Sequence, residues 1–327
     1  MMNALMRARL HHLAVGLLLG LASCTGASQT GGGTCSATQL ACGANEICDL
    51  TDPAGPTCIS TTGDVDGDGI PNGADNCPSV ANPLQENEDG DDRGDACDLC
   101  PHLAGTVPGS DGDDDGDGIG NQCDPRVGID RRVVFLPFND PAELQKLAIR
   151  GGSNSWTISG GRLHQNDTSL ATPQNIVWTG ESITGDVFVQ GKLHIEALAA
   201  GAGTRLAAVV GAYDDSGTVD AYACGVRSPD AAQQAVSTSW HFDQPPAFDQ
   251  QTLGANVGLM AAGLQAAETL KATITVPDTD STLACFAGTT PAPVGVPGFV
   301  PVGFPGVRTL GVTASFDYLF VVAIGIP

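Results

Sequence analysis

The chain has 327 residues, with 37 acidic against 14 basic side chains and a formal charge of −23. That excess of carboxylate repels phosphate backbones and other anionic surfaces, which excludes nucleic acid as a partner and leaves cations as natural ones. The chain holds eleven cysteines, most of them closely spaced, and that usage belongs in an oxidising compartment. Near the start, Arg7 and Arg9 precede an apolar run, LAVGLLLGLA, at 13–22. A run of this length matches the core of a signal peptide and is too short to span a bilayer. No later stretch is apolar enough over enough residues to cross a membrane.

The run ends in Leu21-Ala22-Ser23-Cys24, which resembles the bacterial lipobox. The resemblance implies a signal peptide over 1–23 and a fatty-acylated Cys24, with the lipid as the one attachment to membrane. Thr25 in place of aspartate resembles the sorting pattern for the outer membrane, facing either the periplasm or the surface. An ordinary signal peptide followed by a disulfide cysteine is the competing reading. Removing Cys24 leaves ten cysteines, enough for five bridges. A Ser/Thr/Gly linker over 24–34 is expected to be flexible. Cys35, Cys42, Cys48 and Cys58 then fall within 35–60, where apolar residues are too few for a core, so a small stapled knot is expected. Their spacing resembles the first half of an epidermal-growth-factor-like module, which implies Cys35–Cys48 and Cys42–Cys58. A zinc site is the alternative, although no C-x₂-C pair is present.

One acidic loop is then written three times: DVDGDGIPNGAD at 64–75, NEDGDDRGDACD at 87–98 and DDDGDGIGNQCD at 113–124. Positions 1, 3, 5, 9 and 12 carry oxygen side chains in every copy. They are Asp64, Asp66, Asp68, Asn72 and Asp75, then Asn87, Asp89, Asp91, Asp95 and Asp98, then Asp113, Asp115, Asp117, Asn121 and Asp124. Four carboxylates, an amide and a main-chain carbonyl at position 7 (Ile70, Arg93, Ile119) make the oxygen shell that Ca²⁺ takes, so about three calcium sites are expected. Gly69 and Gly118 occupy position 6, where the loop must turn sharply, whereas Asp92 stands there in the second loop. Prolines 71, 78, 83 and 101 crowd the loops and argue against the flanking helices of an EF-hand. Residues 61–124 hold seventeen acids and one base, Arg93, a charge density that drives the segment apart without cations.

The fragment DNCPSVANPLQENEDGDDRGDACD resembles the thrombospondin type 3 repeat, and the likeness extends over about 61–125 within a segment bounded at 61–128. It implies an irregular chain wrapped on calcium and pinned by Cys77–Cys97 and Cys100–Cys123; the sequence alone permits other pairings. An extended, protease-sensitive stalk without calcium and a compact one with it are expected.

Beyond 128 the acid density drops and short alternating segments appear, including 132–138, 155–165, 186–198, 204–213, 221–226, 270–276 and 314–324. They predict an all-β sandwich over 129–327. Residues 255–270 are ambiguous between helix and strand-turn-strand. W-x-I-x-G-G-x-L at 156–163, the central segment 208–226 and the closing 311–322 together resemble the concanavalin A-like, laminin-G-like jelly roll. Cys224 and Cys285 are expected to pair and tie two strands. The two-glutamate pattern E-x-D-x-E of glucanases on this fold is missing: Glu143, Glu181, Glu196 and Glu268 are isolated. His164, His194 and His241 have no metal spacing, and no G-x-S-x-G appears, so catalysis is not expected. Asp214, Asp215 and Asp220 form a candidate ligand loop, with a plain turn as its alternative. The uncharged PAPVGVPGFVPVGFPG at 291–306 is read as a loop over the sandwich or an exposed apolar lip. Trp156, Trp178 and Trp240 are read as core. The combined expectation is a calcium-binding, lipid-anchored envelope protein whose head meets carbohydrate or an extracellular protein; a ligand-free spacer is the first alternative and an atypical carbohydrate-active enzyme the second.

Overall fold

The computed structural model describes residues 35, 42–52, 55–105, 112–214, 220–228 and 302–325, together with seven strands between 235 and 295. Cys24 and the signal segment lie outside them. Strands are numbered along the chain. The knot is a hairpin of β1 (Glu46–Asp49) and β2 (Thr57–Ser60). The repeat segment from 61 to 128 contains no strand or helix among its described residues, as its proline and glycine content requires.

Two antiparallel sheets make up the head. The front sheet runs β13 (Asp249–Thr252), β12 (Ala235–Asp243), β11 (Asp220–Ser228), β10 (Arg205–Asp214), β20 (Gly306–Leu310), β7 (Gln174–Trp178) and β4 (Leu147–Ile149), with β14 (Val257–Met260) also on β12. The back sheet runs β17 (Thr290–Pro291), β16 (Thr282–Ala287), β15 (Thr269–Val276), β9 (Val187–Leu198), β21 (Val312–Ala323), β6 (Arg162–Gln165) and β5 (Trp156–Ser159). There β18 (Val294–Gly295) adds to β16, and β3 (Arg131–Leu136) adds to β21. A short ladder joins β8 (Ile183–Thr184) to β19 (Val302–Gly303). This is a jelly-roll sandwich.

Period-two patterning explains the faces. On β9, Val187, Val189, Leu193 and Ile195 enter the core between the sheets, and on β5 Trp156 and Ile158 do so. The expected early strand pair is the β5–β6 hairpin; Gly160 and Gly161 both have positive φ (58° and 72°), which a tight two-residue turn demands. Central strands lose the alternation because both faces are covered. On β10, Ala207 and Val209 face the core, while Leu206, Ala208 and Val210 pack on the far side with Val177 and Tyr213. The ambiguous 255–270 stretch begins with β14 and ends in β15, so its described residues are strand. GVRTL at 306–310, which directly follows the Pro/Gly stretch read at 291–306, is the buried central strand β20. Phe299 lies outside the described residues; Phe304 packs against the front-sheet cluster and carries the Arg150 guanidinium 5.9 Å from its ring centre.

Five disulfides join Cys35–Cys48, Cys42–Cys58, Cys77–Cys97, Cys100–Cys123 and Cys224–Cys285. All four knot cysteines are therefore consumed, and the cysteine zinc site does not form. Cys224 sits on β11 and Cys285 on β16, so this bridge crosses the core and joins sheet to sheet.

A revision concerns the stalk. Its last loops do not hold the head at a distance. Ile119, Cys100 and Cys123 pack with Tyr318, Phe320, Val322 and Ile324 on the outer face of the back sheet. His102 stacks at 4.4 Å from Phe320 and 4.9 Å from Tyr318, and Arg132 of β3 donates to the Asp98 carbonyl at 2.6 Å. Each large apolar side chain fully buried in this way contributes about 1.5–3 kcal/mol, so the repeats and the head are one packed body. Among the described residues no helix is long and apolar enough to cross a membrane.

Replacing both Cys224 and Cys285 by alanine is expected to lower unfolding stability by about 2–4 kcal/mol, given the long loop the bridge closes. Denaturant unfolding of the oxidised variant against the parent measures it; an unchanged midpoint rules out a stabilising role for the inter-sheet bridge.

Candidate metal centres

The three loops share one hydrogen-bond plan, and sequence dictates most of it. The position-1 side chain accepts from the position-4 N–H: Gly67 to Asp64 (2.8 Å), Gly90 to Asn87 (2.7 Å) and Gly116 to Asp113 (2.6 Å). Position 4 is a glycine in all three because its φ lies between 76° and 80°. Position 9 accepts from the position-2 N–H, through Asn72, Asp95 and Asn121. Position 12 accepts from the residue two further on, through Asp75, Asp98 and Asp124.

The departure of loop two has a physical reason. Gly69 and Gly118, at φ 98° and 86°, send their N–H groups to the second oxygen of Asp64 and Asp113. Loop two has asparagine at position 1, which has a single oxygen. Its Nδ2 donates instead to the Asp91 carbonyl at 2.9 Å. The position-6 N–H has no second acceptor to reach, and Asp92 replaces the left-handed glycine.

Position 5 does most to connect the segment. One oxygen of Asp68, Asp91 and Asp117 accepts from the position-7 N–H of Ile70, Arg93 and Ile119. The other accepts from a backbone N–H far ahead: Asn82 (2.8 Å), Gly105 (2.8 Å) and Asp130 (2.8 Å). Each loop is thereby clamped to the segment that follows it. The knot is clamped similarly: Asn72 donates to the Ser60 carbonyl at 2.8 Å, and Ser79 to buried Asp49.

These bonds leave carboxylates facing one another. Oxygens of Asp64, Asp66 and Asp68 lie within 4.8 Å of each other, as do those of Asp89, Asp91 and Asp98 and those of Asp113, Asp115 and Asp117. A fourth trio, Asp117, Asp124 and Asp130, was not foreseen, because Asp130 stands outside the twelve-residue pattern at the threshold of β3. Asn87, Asp95, Asn72 and Asn121 mainly hold backbone, and Asp75 also accepts from Gln85 at 2.8 Å. The second oxygens of Asp66, Asp75, Asp95 and Asp130 are buried and accept no hydrogen bond from the protein. Burial pushes the Asp95 carboxyl up to about 6, against a bond from Glu88 N–H and with help from Glu86 and Asp89. Burial, then Asp317 and Asp95, pushes Glu88 up to about 8. Asp66 and Asp124 are also raised, by burial first and neighbouring carboxylates next. Converging carboxylates, with a donor-free buried oxygen at Asp66 and at Asp130, are suited to a hard divalent cation.

On the head, Asp214 pairs with Asp220 in register, while Asp215 lies outside the described residues. The register continues from Asp220 to Asp243 and on to Asp249, so four aspartates stand opposite one another across β10, β11, β12 and β13. Only the pairing of distant strands reveals this row. Trp156 is core and Trp178 packs against it; the Trp240 side chain lies outside the description.

The thrombospondin type 3 repeat family model matches residues 51–85. No curated protein matches this chain. Among solved structures, a carbohydrate binding module, CBM66 from Bacillus subtilis, is 12% identical over 51% of this chain and 91% of its own, with a TM-score of 0.38. The carbohydrate recognition domain of Emp46p is 10% identical over 56% and 91%, with a TM-score of 0.41. The alginate lyase Aly36B is 8% identical over 53% and 86%, with a TM-score of 0.37. The chain thus joins a segment that matches the thrombospondin type 3 repeat at 51–85 to two further loops of the same plan and a jelly-roll sandwich.

Carboxyls raised in the folded state bind protons that the unfolded chain releases, so stability falls as pH rises through the interval. For Asp95 that interval runs from 3.8 to about 6, and for Glu88 from 4.5 to about 8. The calcium-free protein is therefore expected to melt lower at pH 8 than at pH 5. Millimolar calcium is expected to shrink that difference. Calorimetry at both pH values checks this, and a calcium-free Tm that climbs with pH contradicts it.

Proposed function

We propose that this chain is a calcium-binding, lipid-anchored protein of the cell envelope whose head binds carbohydrate or another extracellular surface without catalysing a reaction. The observation that carries the calcium reading is the set of converging carboxylate trios, two of which, at Asp66 and Asp130, include a buried oxygen that accepts no hydrogen bond from the protein. Calcium in those loops offsets part of the segment's negative charge and fixes how it lies on the back sheet. Anchoring rests on the apolar run at 13–22 and the lipobox-like tetrapeptide ending at Cys24. The binding reading for the head rests on its front sheet, whose strand ends carry the row from Asp214 to Asp249. The non-catalytic reading rests on the engagement of the described glutamates: Glu143 with Lys146, Glu181 with Arg131 and Glu196 with His164, in three separate places. A ligand-free brace is the second reading, favoured by the packing of the repeats along the back sheet.

Residues 34–327 are to be screened on a glycan array with calcium and then with chelator, alongside limited proteolysis. Calcium is expected to protect residues 61–124 at least tenfold in cleavage rate and to permit binding to one sugar class. Unchanged proteolysis removes the calcium reading. Absence of glycan binding by a folded head favours the brace, and release of reducing ends from a polysaccharide overturns the non-catalytic reading.

A further inference from the structure

The chain has one Asn-Gly pair, Asn72–Gly73, at positions 9 and 10 of the first loop. Position 10 is Ala96 in the second loop and Gln122 in the third, so the loop plan does not ask for glycine there. Packing on the knot does. A Cβ on Gly73 would stand 3.0 Å from both the carbonyl oxygen and the Cβ of Thr61, tighter than ordinary contact. Without a side chain, glycine leaves the main-chain nitrogen that follows Asn72 unshielded. In an Asn-Gly pair that nitrogen can attack the carboxamide carbon of the asparagine and close a five-membered ring. The fold holds every group of this reaction in another bond. Asn72 is 1% exposed. Its Oδ1 accepts from the Val65 N–H at 3.0 Å, and its Nδ2 donates to the Ser60 carbonyl at 2.8 Å. The Asn72 N–H donates to the Gly63 carbonyl at 2.8 Å and the Gly73 N–H to the Thr61 carbonyl at 3.0 Å. Three of these acceptors, Ser60, Thr61 and Gly63, belong to the end of β2 and the turn after it. The seam between the knot and the first loop is therefore what guards the pair.

We propose that Asn72 is a site of spontaneous deamidation that this seam keeps shut and that reacts when the seam opens. Hydroxide takes the proton of the Gly73 nitrogen, which bonds to Asn72 Cγ. The Cγ–Nδ2 bond breaks, and Nδ2 takes a proton from water and leaves as ammonia. A second water opens the ring. Breaking the new Cγ–N bond gives aspartate; breaking the original peptide C–N bond gives isoaspartate, with the main chain rerouted through Cβ and Cγ. Neither product closes the seam again. A carboxylate has only acceptor oxygens, so it faces the Ser60 carbonyl where an N–H had bridged the two. The isoaspartate lengthens the main chain inside the turn that the Ala74 N–H closes on the Pro71 carbonyl at 2.7 Å. Local opening is the step that admits the reaction. A reversible opening thereby becomes a permanent one, and the chain carries a covalent mark of having stood open. The guarded pair rests on the hydrogen bonds alone; that calcium holds the seam shut rests on the calcium reading above.

The test holds the full chain at pH 8 in calcium, in chelator, and in denaturant with its disulfides reduced. Peptide mass spectrometry then follows aspartate and isoaspartate at Asn72, with Asn121, its counterpart in the third loop, as the internal control. Deamidation at Asn72 is expected to be about tenfold slower in calcium than in denaturant, because only open chains react. In denaturant Asn72 is expected to react faster than Asn121, and Gly73→Ala to slow it, which identifies the attacking nitrogen. In the folded protein, Asn72→Asp is expected to speed hydrogen exchange of the Gly73 amide about tenfold while β9 and β21 exchange as before. Fast reaction in chelator upholds the guarded site and calcium as its guard. Slow reaction in chelator with fast reaction in denaturant upholds the guarded site and counts against the calcium reading. Equal rates in calcium and in denaturant, a reaction at Asn72 no faster than at Asn121 in denaturant, or a Gly73 amide indifferent to Asn72→Asp overturns the inference.

Discussion

The position-5 carboxylates hold the amino-terminal half of this molecule together. Asp68, Asp91 and Asp117 each bond their own loop with one oxygen and a later segment with the other. Nothing else available to the segment substitutes for this. Residues 61–124 have too few apolar side chains for a core of their own, and their described residues form no ladder or helix. Order therefore comes from side chains that satisfy backbone N–H groups and from two disulfides. Carboxylates are efficient at that task, because a hydrogen bond to an ionised acceptor is stronger than a neutral one. The consequence is electrostatic. The groups that build the loops are the ones that crowd like charge within 4.8 Å. That crowding disfavours the charged loops, and at Asp95 burial has lifted the carboxyl to about 6.

The series of clamps ends on the head. The last position-5 oxygen takes the N–H of Asp130, one residue before β3 begins. Asp130 in turn accepts from Gly325 at 2.7 Å, just beyond β21, and lies 3.6 Å from Arg126. One buried aspartate thus joins the third loop, the first strand of the head and its last. Beside it the contact is apolar: Ile119, the position-7 residue, is fully buried against the back sheet. The loop's ligand pattern and its docking surface are interleaved in sequence, so a change in loop shape transmits directly to the sheet.

The loops were legible because their chemistry is local. Oxygen side chains at fixed spacing, glycine at the turns and prolines around them announce a cation loop without helices. The alternating segments announced the sandwich for the same reason, and the hairpin at Gly160-Gly161 was readable from two glycines. What stayed hidden depends on residues far apart in sequence. GVRTL at 306–310 follows a proline-rich run and looks like its tail, yet it lies between β10 and β7 at the centre of a sheet. Asp130 carries no motif, and its role appears only when the third loop is folded against it. The row from Asp214 to Asp249 spans four strands whose order no local pattern gives. The docked position of the repeats was hidden likewise, since Tyr318, Phe320 and Val322 read as the second face of an ordinary buried strand.

That second face explains why the two sheets differ. From Tyr318 on β21 to Ile324 just beyond it, alternate residues point away from the core and are nonetheless buried, because the repeats cover them. Farther along the same face the side chains turn polar. Asp317 accepts from Arg162 (2.8 Å), Lys192 (2.6 Å) and His194 (2.7 Å). Burial disfavours its charge, yet Lys192 and His194 hold its carboxyl below the ordinary range. The apolar stretch and the ionic stretch meet where Glu88 of loop two approaches Asp317. Undocked repeats would expose a contiguous aromatic and aliphatic strip, a surface that invites association. Docking is thus a condition of solubility as well as of shape. The docked segment is also the one whose carboxylates crowd together, so the shape of the loops and the cover of the back sheet depend on each other.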